Sequence, residues 1–457
     1  MPPLFDPDDP RPIHFLGIGG AGMSGLALAA RQRGVPVTGC DVDASAFPDL
    51  AAAGAKVTLG PSKAHVAGSR AIVVTAAAPS DHPELAAARA ADVPIIYRKH
   101  ALAELVRGST LVAIAGTHGK TTTTVMTTEV LRAAGRHPSG LAGGRVSAWR
   151  GNALLDGDRL FVVEADEYDQ AFLALHPTIA VVNNVEADHL ECYGSMDALE
   201  SAFVEFAGRA ERAIIGTADA ASERVAGRVA VPTWRFGTEA ADISIQPREM
   251  GPNGSRADVR FPDGRIVPLA LRVPGVHNLR NAVAALAVVV ALDADVERAL
   301  PALAAFTGVG RRFERLGTVG GVTIVDDYAH HPTELAATLA AARQAFPDRR
   351  LVAVFQPHLY SRTRDHGTAL GRALTQADLI VVTDVYGARE APLAGITGAI
   401  VADAARAAGA AVHYRPERGN LTAAVAHLVR EGDVVFTLGA GDITQLGPAL
   451  RALLDAR

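Results

Sequence analysis

The stretch that most constrains this chain is 110–124, TLVAIAGTHGKTTTT. An apolar run, Leu111 to Ala115, leads into Gly116-Thr117-His118-Gly119-Lys120-Thr121-Thr122; a helix-like run to Leu131 follows, with Gly135 where a helix would stop. A strand that breaks at glycines and resumes as a helix aims several backbone N–H groups and the positive helix end at one point. Lys120 adds a point charge for the β/γ-phosphates, and the Thr121 hydroxyl suits Mg²⁺. The full spacing G-x-x-x-x-G-K-[ST] would need glycine at 114, where Ile114 stands, so the loop is a shortened one. Strand, loop, Lys-Thr pair and helix together imply an ATP site rather than a solvated Gly/Thr turn.

A chain of 457 residues predicts roughly three domains of about 150 residues each. Its 49% hydrophobic but only 5% aromatic content describes an Ala/Val/Leu-rich α/β protein with an ample core. A net charge of −5 gives no electrostatic reason to expect nucleic acid. Cys40 and Cys192 are the only cysteines, too few for a disulfide framework and without metal-site spacing, which points to a reducing compartment. The first ten residues lack the basic and apolar regions of a signal peptide. No run offers about 20 consecutive apolar residues for a membrane span. The expectation is a soluble, cytoplasmic protein with no membrane or nucleic-acid partner, a monomer or weak homodimer.

In residues 1–107, a strand at 12–16 runs into Gly17-Ile18-Gly19-Gly20-Ala21-Gly22-Met23, which meets G-x-G-x-x-G at Gly17, Gly19 and Gly22. A helix of small residues, a second strand at 35–40 and Asp41 at its end complete a unit that cradles a pyrophosphate, with an acid placed for a ribose. The motif reads a pyrophosphate and not a nicotinamide. A nicotinamide-dependent oxidoreductase would leave Lys120 without work, whereas a UDP-type nucleotide fits the same cradle. Further strands are expected at 71–75 and 93–96.

In residues 108–308, a strand at 160–163 ends in Glu164-Ala165-Asp166-Glu167-Tyr168-Asp169, and another at 179–182 ends in Asn183-Asn184-Val185-Glu186-Ala187-Asp188-His189. Ligands of parallel α/β sheets gather at the carboxyl ends of strands, so both ends should face the phosphate loop. Glu164 and His189 are the candidates for Mg²⁺; Glu167, Asp169 and Glu186 suit a solvated, helix-capping turn equally well. An antiparallel meander is expected over 243–273. His277 and Asn278 then open a helix predicted at 279–292 and read locally as its cap.

Residues 309–457 alternate again, with strands at 322–325, 351–355, 379–383, 411–414 and 434–438, and helices at 333–345, 367–375, 397–408 and 421–429. The pattern is a second doubly wound unit. Its polar strand ends carry Asp327, His330, Arg362 and Arg364, and two guanidinium groups on a loop suit a carboxylate.

GIGGAGMSGLA, AGTHGKTTTT, VEADEYDQAFL, NNVEADH, PGVHNLRNA, GVGRRFE, DDYAHHPTE and FQPHLYSRTR occur in this order from Ile13 to about Asp442. In these motifs the chain resembles the Mur ligases of peptidoglycan precursor synthesis. The resemblance implies a three-domain α/β ligase that uses ATP and Mg²⁺: a Rossmann-like UDP-substrate domain at 1–107, a central ATPase-like domain with a small antiparallel region at 108–308, and a Rossmann-like amino-acid domain at 309–457. Within the family the motifs are most like the branch that joins L-alanine to UDP-N-acetylmuramate through an acyl phosphate.

The resemblance also implies residue roles. Gly17, Gly19, Gly20, Gly22, Met23, Asp41 and Thr75 would hold the UDP substrate. Gly116, Thr117, His118, Gly119, Lys120, Thr121, Thr122, Asn278, Arg311 and Asp327 would hold ATP, with Asn278 on the adenine and Asp327 on the ribose. Thr121, Glu164 and His189 would ligate Mg²⁺, and His330, Arg362 and Arg364 would line the amino-acid pocket. Lys120, Asn184, His189, His330 and Arg362 form the implied catalytic set.

Later members of the family use a carbamylated lysine as a metal ligand. Here lysine occurs only at Lys56, Lys63, Lys99 and Lys120, so that device is absent, as in the alanine branch. Tyr168 and Ala171 replace two serines usual in that branch, and Tyr168 is similar to the recycling branch, which attaches L-Ala-γ-D-Glu-meso-diaminopimelate. Thr75-Ala76-Ala77 stands where a Ser-Ser-Ala-like turn is usual.

Overall fold

A computed structural model describes residues 3–75, 78–239, 241–388 and 390–456. The chain forms two compact units. One comprises Met1–Gln246, Ala257–Leu269 and Leu279–Ala305; the other comprises Pro247–Arg256, Ala270–Asn278 and Phe306–Arg457.

The first sheet is built from β1 (Ile13–Leu16), β2 (Val37–Asp41), β3 (Lys56–Leu59), β4 (Ala71–Val74) and β5 (Ile95–Tyr97), in the order β3-β2-β1-β4-β5. All its pairings are parallel. The chain leaves β1 toward β2 and later returns to β1's other side as β4, so the crevice at their carboxyl ends is a topological switch point. The glycine turn after β1 and Thr75 after β4 therefore lie side by side.

The second sheet has ten strands: β6 (Thr110–Ala115), β7 (Ser139–Val146), β8 (Gly151–Leu154), β9 (Leu160–Glu164), β10 (Ile179–Val182), β11 (Arg212–Gly216), β12 (Thr233–Gly237), β13 (Ile243–Gly251), β14 (Gly254–Arg260) and β15 (Ile266–Leu271). Their order is β15-β14-β13-β12-β11-β10-β6-β9-β7-β8. Leu111–Ala115 is buried throughout, the pattern of a parallel strand covered on both faces. The helix Lys120–Ala133 carries four threonines directly after Lys120, poor helix formers by χ1 restriction. All four are buried, and so are Thr127 and Thr128, so packing overrides propensity here. The alternating burial of β15 matches the expected meander. The β7–β8 hairpin and the stretch from the helix Met196–Gly208 to β12 were not anticipated from sequence.

The third sheet contains β16 (Glu314–Val319), β17 (Val322–Asp327), β18 (Leu351–Phe355), β19 (Leu379–Val382), β20 (Val412–Tyr414) and β21 (Val434–Leu438), in the order β16-β17-β21-β18-β19-β20. β16 pairs antiparallel with β17 and the rest are parallel. One helix differs from expectation: it runs Tyr360–Leu374, seven residues earlier than its apolar periodicity suggests, entered from Leu359 at φ +67°. Its first turns, YSRTRDH, have almost no apolar residues to announce them. Among the described residues no helix is long and apolar enough to cross a membrane.

Candidate active site

Sheet register assembles the phosphate-loop region. Ile114 of β6 faces Glu164 of β9, and Ala115 faces Val182 of β10, so the loop after β6 emerges between the two acidic strand ends. Gly116 has φ +128°, and a Cβ there would stand 2.9 Å from the Asn183 nitrogen, so only glycine fits. Gly119, at φ +79°, caps the helix; its Cβ would come within 2.5 Å of Asn281 Oδ1.

The β10 end staples this loop. Asn184 Oδ1 accepts the His118 N–H at 2.7 Å, and its Nδ2 donates to the His118 carbonyl at 3.1 Å. The Glu186 N–H donates to Thr117 Oγ1 at 2.8 Å. Asn184 is thus a positioning residue of the loop.

Lys120 Nζ donates to the Gly116 carbonyl at 2.6 Å and to both oxygens of Glu167, at 2.7 and 2.8 Å. Burial opposes the charge on Lys120, but the carboxylates of Glu167, Asp166 and Glu164 outweigh it and hold its pKa above the ordinary lysine value. Glu167, which sequence left open as a solvated turn, is instead 2% exposed and is the partner of this lysine. Tyr193 fixes the segment by donating to the Glu167 carbonyl at 2.5 Å. Glu164 accepts the Gly143 N–H at 2.5 Å, and its carboxylate lies where a Cβ on residue 143 would be. The only sequence signal for Gly143 was the glycine pair in LAGGRV. His189, at φ +54°, packs edge-on against Tyr168 at 5.2 Å, with Nδ1 3.4 Å from Glu191. Thr121, buried in the first turn of the helix, completes the group of sequence candidates here.

The other glycine turn lies at the switch point of the first sheet. Gly17 has φ +81°, and its Cβ would touch Thr75 Cγ2 at 3.0 Å. Gly19 N–H donates to Asp41 Oδ2 at 2.7 Å. A Cβ on Gly22 would meet Arg98 Nη1 at 2.7 Å, and the Arg98 guanidinium reaches Asp166 at 3.0 Å, which links the start of the helix Arg98–Leu105 to the segment after β9. Gly20 caps the helix Ala21–Gln32. Met23 does not line the cradle with its side chain: it is 2% exposed in the core, and its N–H bonds Gly20. Ala76 and Ala77 of the unusual turn lie outside the described residues.

In the second unit, Asp327 accepts the Phe313 N–H at 2.7 Å and the Ala329 N–H at 2.8 Å. Burial pushes its pKa up to about 6, against the pull of Arg312 and those two N–H groups. Arg311, at φ +59°, donates to the Gly439 carbonyl at 2.6 Å and approaches Asp326 at 3.3 Å. His330 Nδ1 lies 2.9 Å from the Tyr328 carbonyl, which fixes the ring with Nδ1 as donor. Asn278 is held by its own turn, with Nδ2 donating to the Pro274 carbonyl at 2.7 Å.

The two candidate arginines separate. Arg362 is buried near His358 Nδ1 at 3.3 Å, while the Arg364 side chain is 57% exposed and paired with Asp365 at 2.7 Å. Residues two apart on a helix do not share a face, so the structure does not bring the two guanidinium groups together as expected.

Residues 12–110 match the Mur ligase family, catalytic domain; residues 114–289 the Mur ligase middle domain; and residues 311–441 the Mur ligase, glutamate ligase domain. The chain belongs to the Mur ligase family. As a Mur ligase it is an ATP-dependent enzyme that forms a carbon–nitrogen bond. It is 44% identical over 462 residues to a protein of Cutibacterium acnes named UDP-N-acetylmuramate–L-alanine ligase, covering 99% of this chain and 98% of that one. The crystal structure of the UDP-N-acetylmuramate-alanine ligase of Thermotoga maritima superposes with a TM-score of 0.86 at 29% identity, covering 98% of this Mur ligase and 99% of that chain. A murein peptide ligase of Psychrobacter arcticus gives 0.75 at 26% identity, with 98% and 99% covered. The three sheets of the α/β fold are those this likeness requires.

Proposed function

We propose that this Mur ligase joins L-alanine to the carboxylate of UDP-N-acetylmuramate, with conversion of ATP to ADP and phosphate. The observation that carries the reading is the likeness, over nearly the whole length of both chains, to proteins named for that reaction. We assign the UDP substrate to residues 1–107, ATP to 108–308 and the amino acid to 309–457, in line with the three stretches that match the family.

A carboxylate at neutral pH is not electrophilic, so the sugar's carboxylate oxygen first bonds the γ-phosphorus and ADP leaves. The alanine nitrogen then bonds the acyl carbon, the C–O bond to phosphate breaks, and the amine releases a proton. Lys120, held among Glu164, Asp166 and Glu167, is poised to move onto the transferring phosphoryl group and neutralise its charge. The loop N–H groups and the start of the helix Lys120–Ala133 orient the phosphates.

Thr121, Glu164 and His189 would hold Mg²⁺, and the Glu164 carboxylate over Gly143 and the Thr121 hydroxyl are hard-oxygen donors of the kind that ion prefers. Bound there, Mg²⁺ would supply further neutralisation of phosphate charge. Gly17, Gly19, Gly20, Gly22, Thr75 and Asp41 form the proposed UDP cradle, while Asn278, Arg311 and Asp327 are assigned to the nucleoside of ATP. In the amino-acid pocket, Arg362 grips the alanine carboxylate and His330 lies beside it.

Tyr168 against His189 favours a second reading, the recycling ligase that takes a tripeptide. Phosphate release with ATP, Mg²⁺ and UDP-N-acetylmuramate decides between them. Turnover with L-alanine is the expected result; turnover only with L-Ala-γ-D-Glu-meso-diaminopimelate would overturn it.

A further inference from the structure

Apart from the residues assigned above, four side chains from separate segments converge inside the first sheet's domain. His14 sits on β1, Cys40 on β2, His65 on the 3-10 turn Lys63–Val66, and Glu84 in the first turn of the helix Pro83–Ala90. Glu84 is completely buried, and His14 and Cys40 are 1% and 3% exposed. Its carboxylate lies 3.1 Å from His14 Nε2, 2.8 Å from His65 Nδ1 and 3.1 Å from Cys40 Sγ. One ligand atom from each of the four lies within 4.8 Å of the other three.

The surroundings aim these atoms inward. His14 Nδ1 is 2.9 Å from Thr38 Oγ1, and His65 Nε2 is 3.2 Å from Thr58 Oγ1. Each imidazole is thus oriented through one nitrogen, leaving the other directed at the cluster, as outer-shell partners orient metal-ligating histidines. The Ser62 N–H holds Glu84 Oε1 at 2.8 Å. A hydrogen-bonded polar core would satisfy Glu84 too. It does not by itself call for two imidazoles and a thiol to meet around one carboxylate with both rings braced from behind. Two nitrogens, one sulfur and one oxygen are a ligand set for a four-coordinate, borderline-soft divalent ion.

We propose that His14, Cys40, His65 and Glu84 bind a divalent transition-metal ion of the Zn²⁺ class. Binding breaks the S–H bond of Cys40 and releases that proton to solvent, the sulfur pair forming the bond to the ion; nothing is oxidised or reduced. With all four positions filled by protein the site is closed and therefore structural. It cross-links β1, β2, the 3-10 turn and the helix, and the partly exposed edge of His65 is its way in. Because the Cys40 carbonyl accepts the Gly17 and Ile18 N–H groups at 2.9 and 3.1 Å, the ion steadies the strand end that carries the first glycine turn. The lack of paired cysteine spacing in the sequence does not oppose the site, since each ligand comes from a different element.

The test is titration of the full-length, chelator-stripped protein with Co²⁺ and then Zn²⁺, followed by absorption and thermal melting. The expected result is one Co²⁺ per chain with a thiolate-to-cobalt charge-transfer band, displacement by Zn²⁺, and a higher melting temperature with metal. Cys40→Ser, which keeps a hydroxyl donor toward Glu84, should lose the band and weaken Zn²⁺ binding at least about tenfold, the scale of a perturbed ligand shell. His65→Gln, at the solvent edge, should weaken binding likewise, and Cys192→Ser should change nothing. Absence of stoichiometric binding by the unmodified protein overturns the proposal. So does a band that survives Cys40→Ser or disappears in Cys192→Ser.

Discussion

At the end of β1 the turn of residues 17–22 carries no cation, and its Gly19 N–H rests on a partly exposed carboxylate, Asp41. At the end of β6 the loop of residues 116–120 carries an ammonium of its own, and Lys120 rests on a carboxylate that is almost wholly buried, Glu167. The local architecture is the same, strand into glycines into helix N-terminus, yet the acid does different work in each. Asp41 holds a backbone donor in shape, and an amide oxygen would do so nearly as well. Glu167 pairs with a charge held out of water, and a neutral side chain would leave that charge without its counter-ion. One turn presents backbone N–H groups alone; the other, on the proposed function, keeps a cation in reserve until an anion draws it away.

This contrast can be broken, the largest effect first. Lys120→Ala should lower phosphate release by about three orders of magnitude, the scale for a charge that stabilises a transferring phosphoryl group. Calorimetry should show UDP-substrate affinity unchanged, and its loss would mean the two turns are not separate sites.

Glu167→Gln comes next. Leaving a buried charge unpaired should destabilise the ligand-free protein by about 3–5 kcal/mol in urea unfolding, with part of that recovered on adding ATP. An equal deficit with and without ATP would end the view of Glu167 as a store for Lys120.

In Gly19→Ala the new Cβ would lie 2.8 Å from the Asp43 carbonyl and 2.9 Å from Asp41 Oδ2. Overpacking of about 1–3 kcal/mol should appear as roughly tenfold or greater weakening of the UDP substrate, with ATP binding intact. Smallest should be Asp41→Asn, which keeps an acceptor for Gly19 and should shift affinity by less than about 1 kcal/mol. A larger loss would show that the negative charge itself contacts the ligand.

Much of this arrangement was legible in sequence where chemistry is local. The phosphate loop, the turn of Gly17, Gly19 and Gly22, and the strands ending at Glu164 and Val182 are announced by neighbours within a few residues. The partner of Lys120 is not, because Glu167 lies 47 residues away and is brought in only by β6–β9 pairing. Gly143 under Glu164 is hidden for the same reason. That Arg362 points inside and Arg364 outside was not legible, because a polar helix start gives no periodicity to distinguish them. Met23 follows the glycine motif as a ligand contact would, but helical rotation turns its side chain into the core.

The order of the third sheet has a consequence for how the protein is made. β21, the last strand among the described residues and followed by the helix Leu446–Asp455, lies between β17 and β18 and hydrogen-bonds to both. Until ribosomes have passed Val434, two central strand edges have no partner, and Arg311 has no Gly439 carbonyl to hold. Nascent chains stalled before that point should be cut readily by protease within 322–382 and resist once β21 has emerged, so this half of the enzyme is born open and closes like a zip whose slider is sewn at its end.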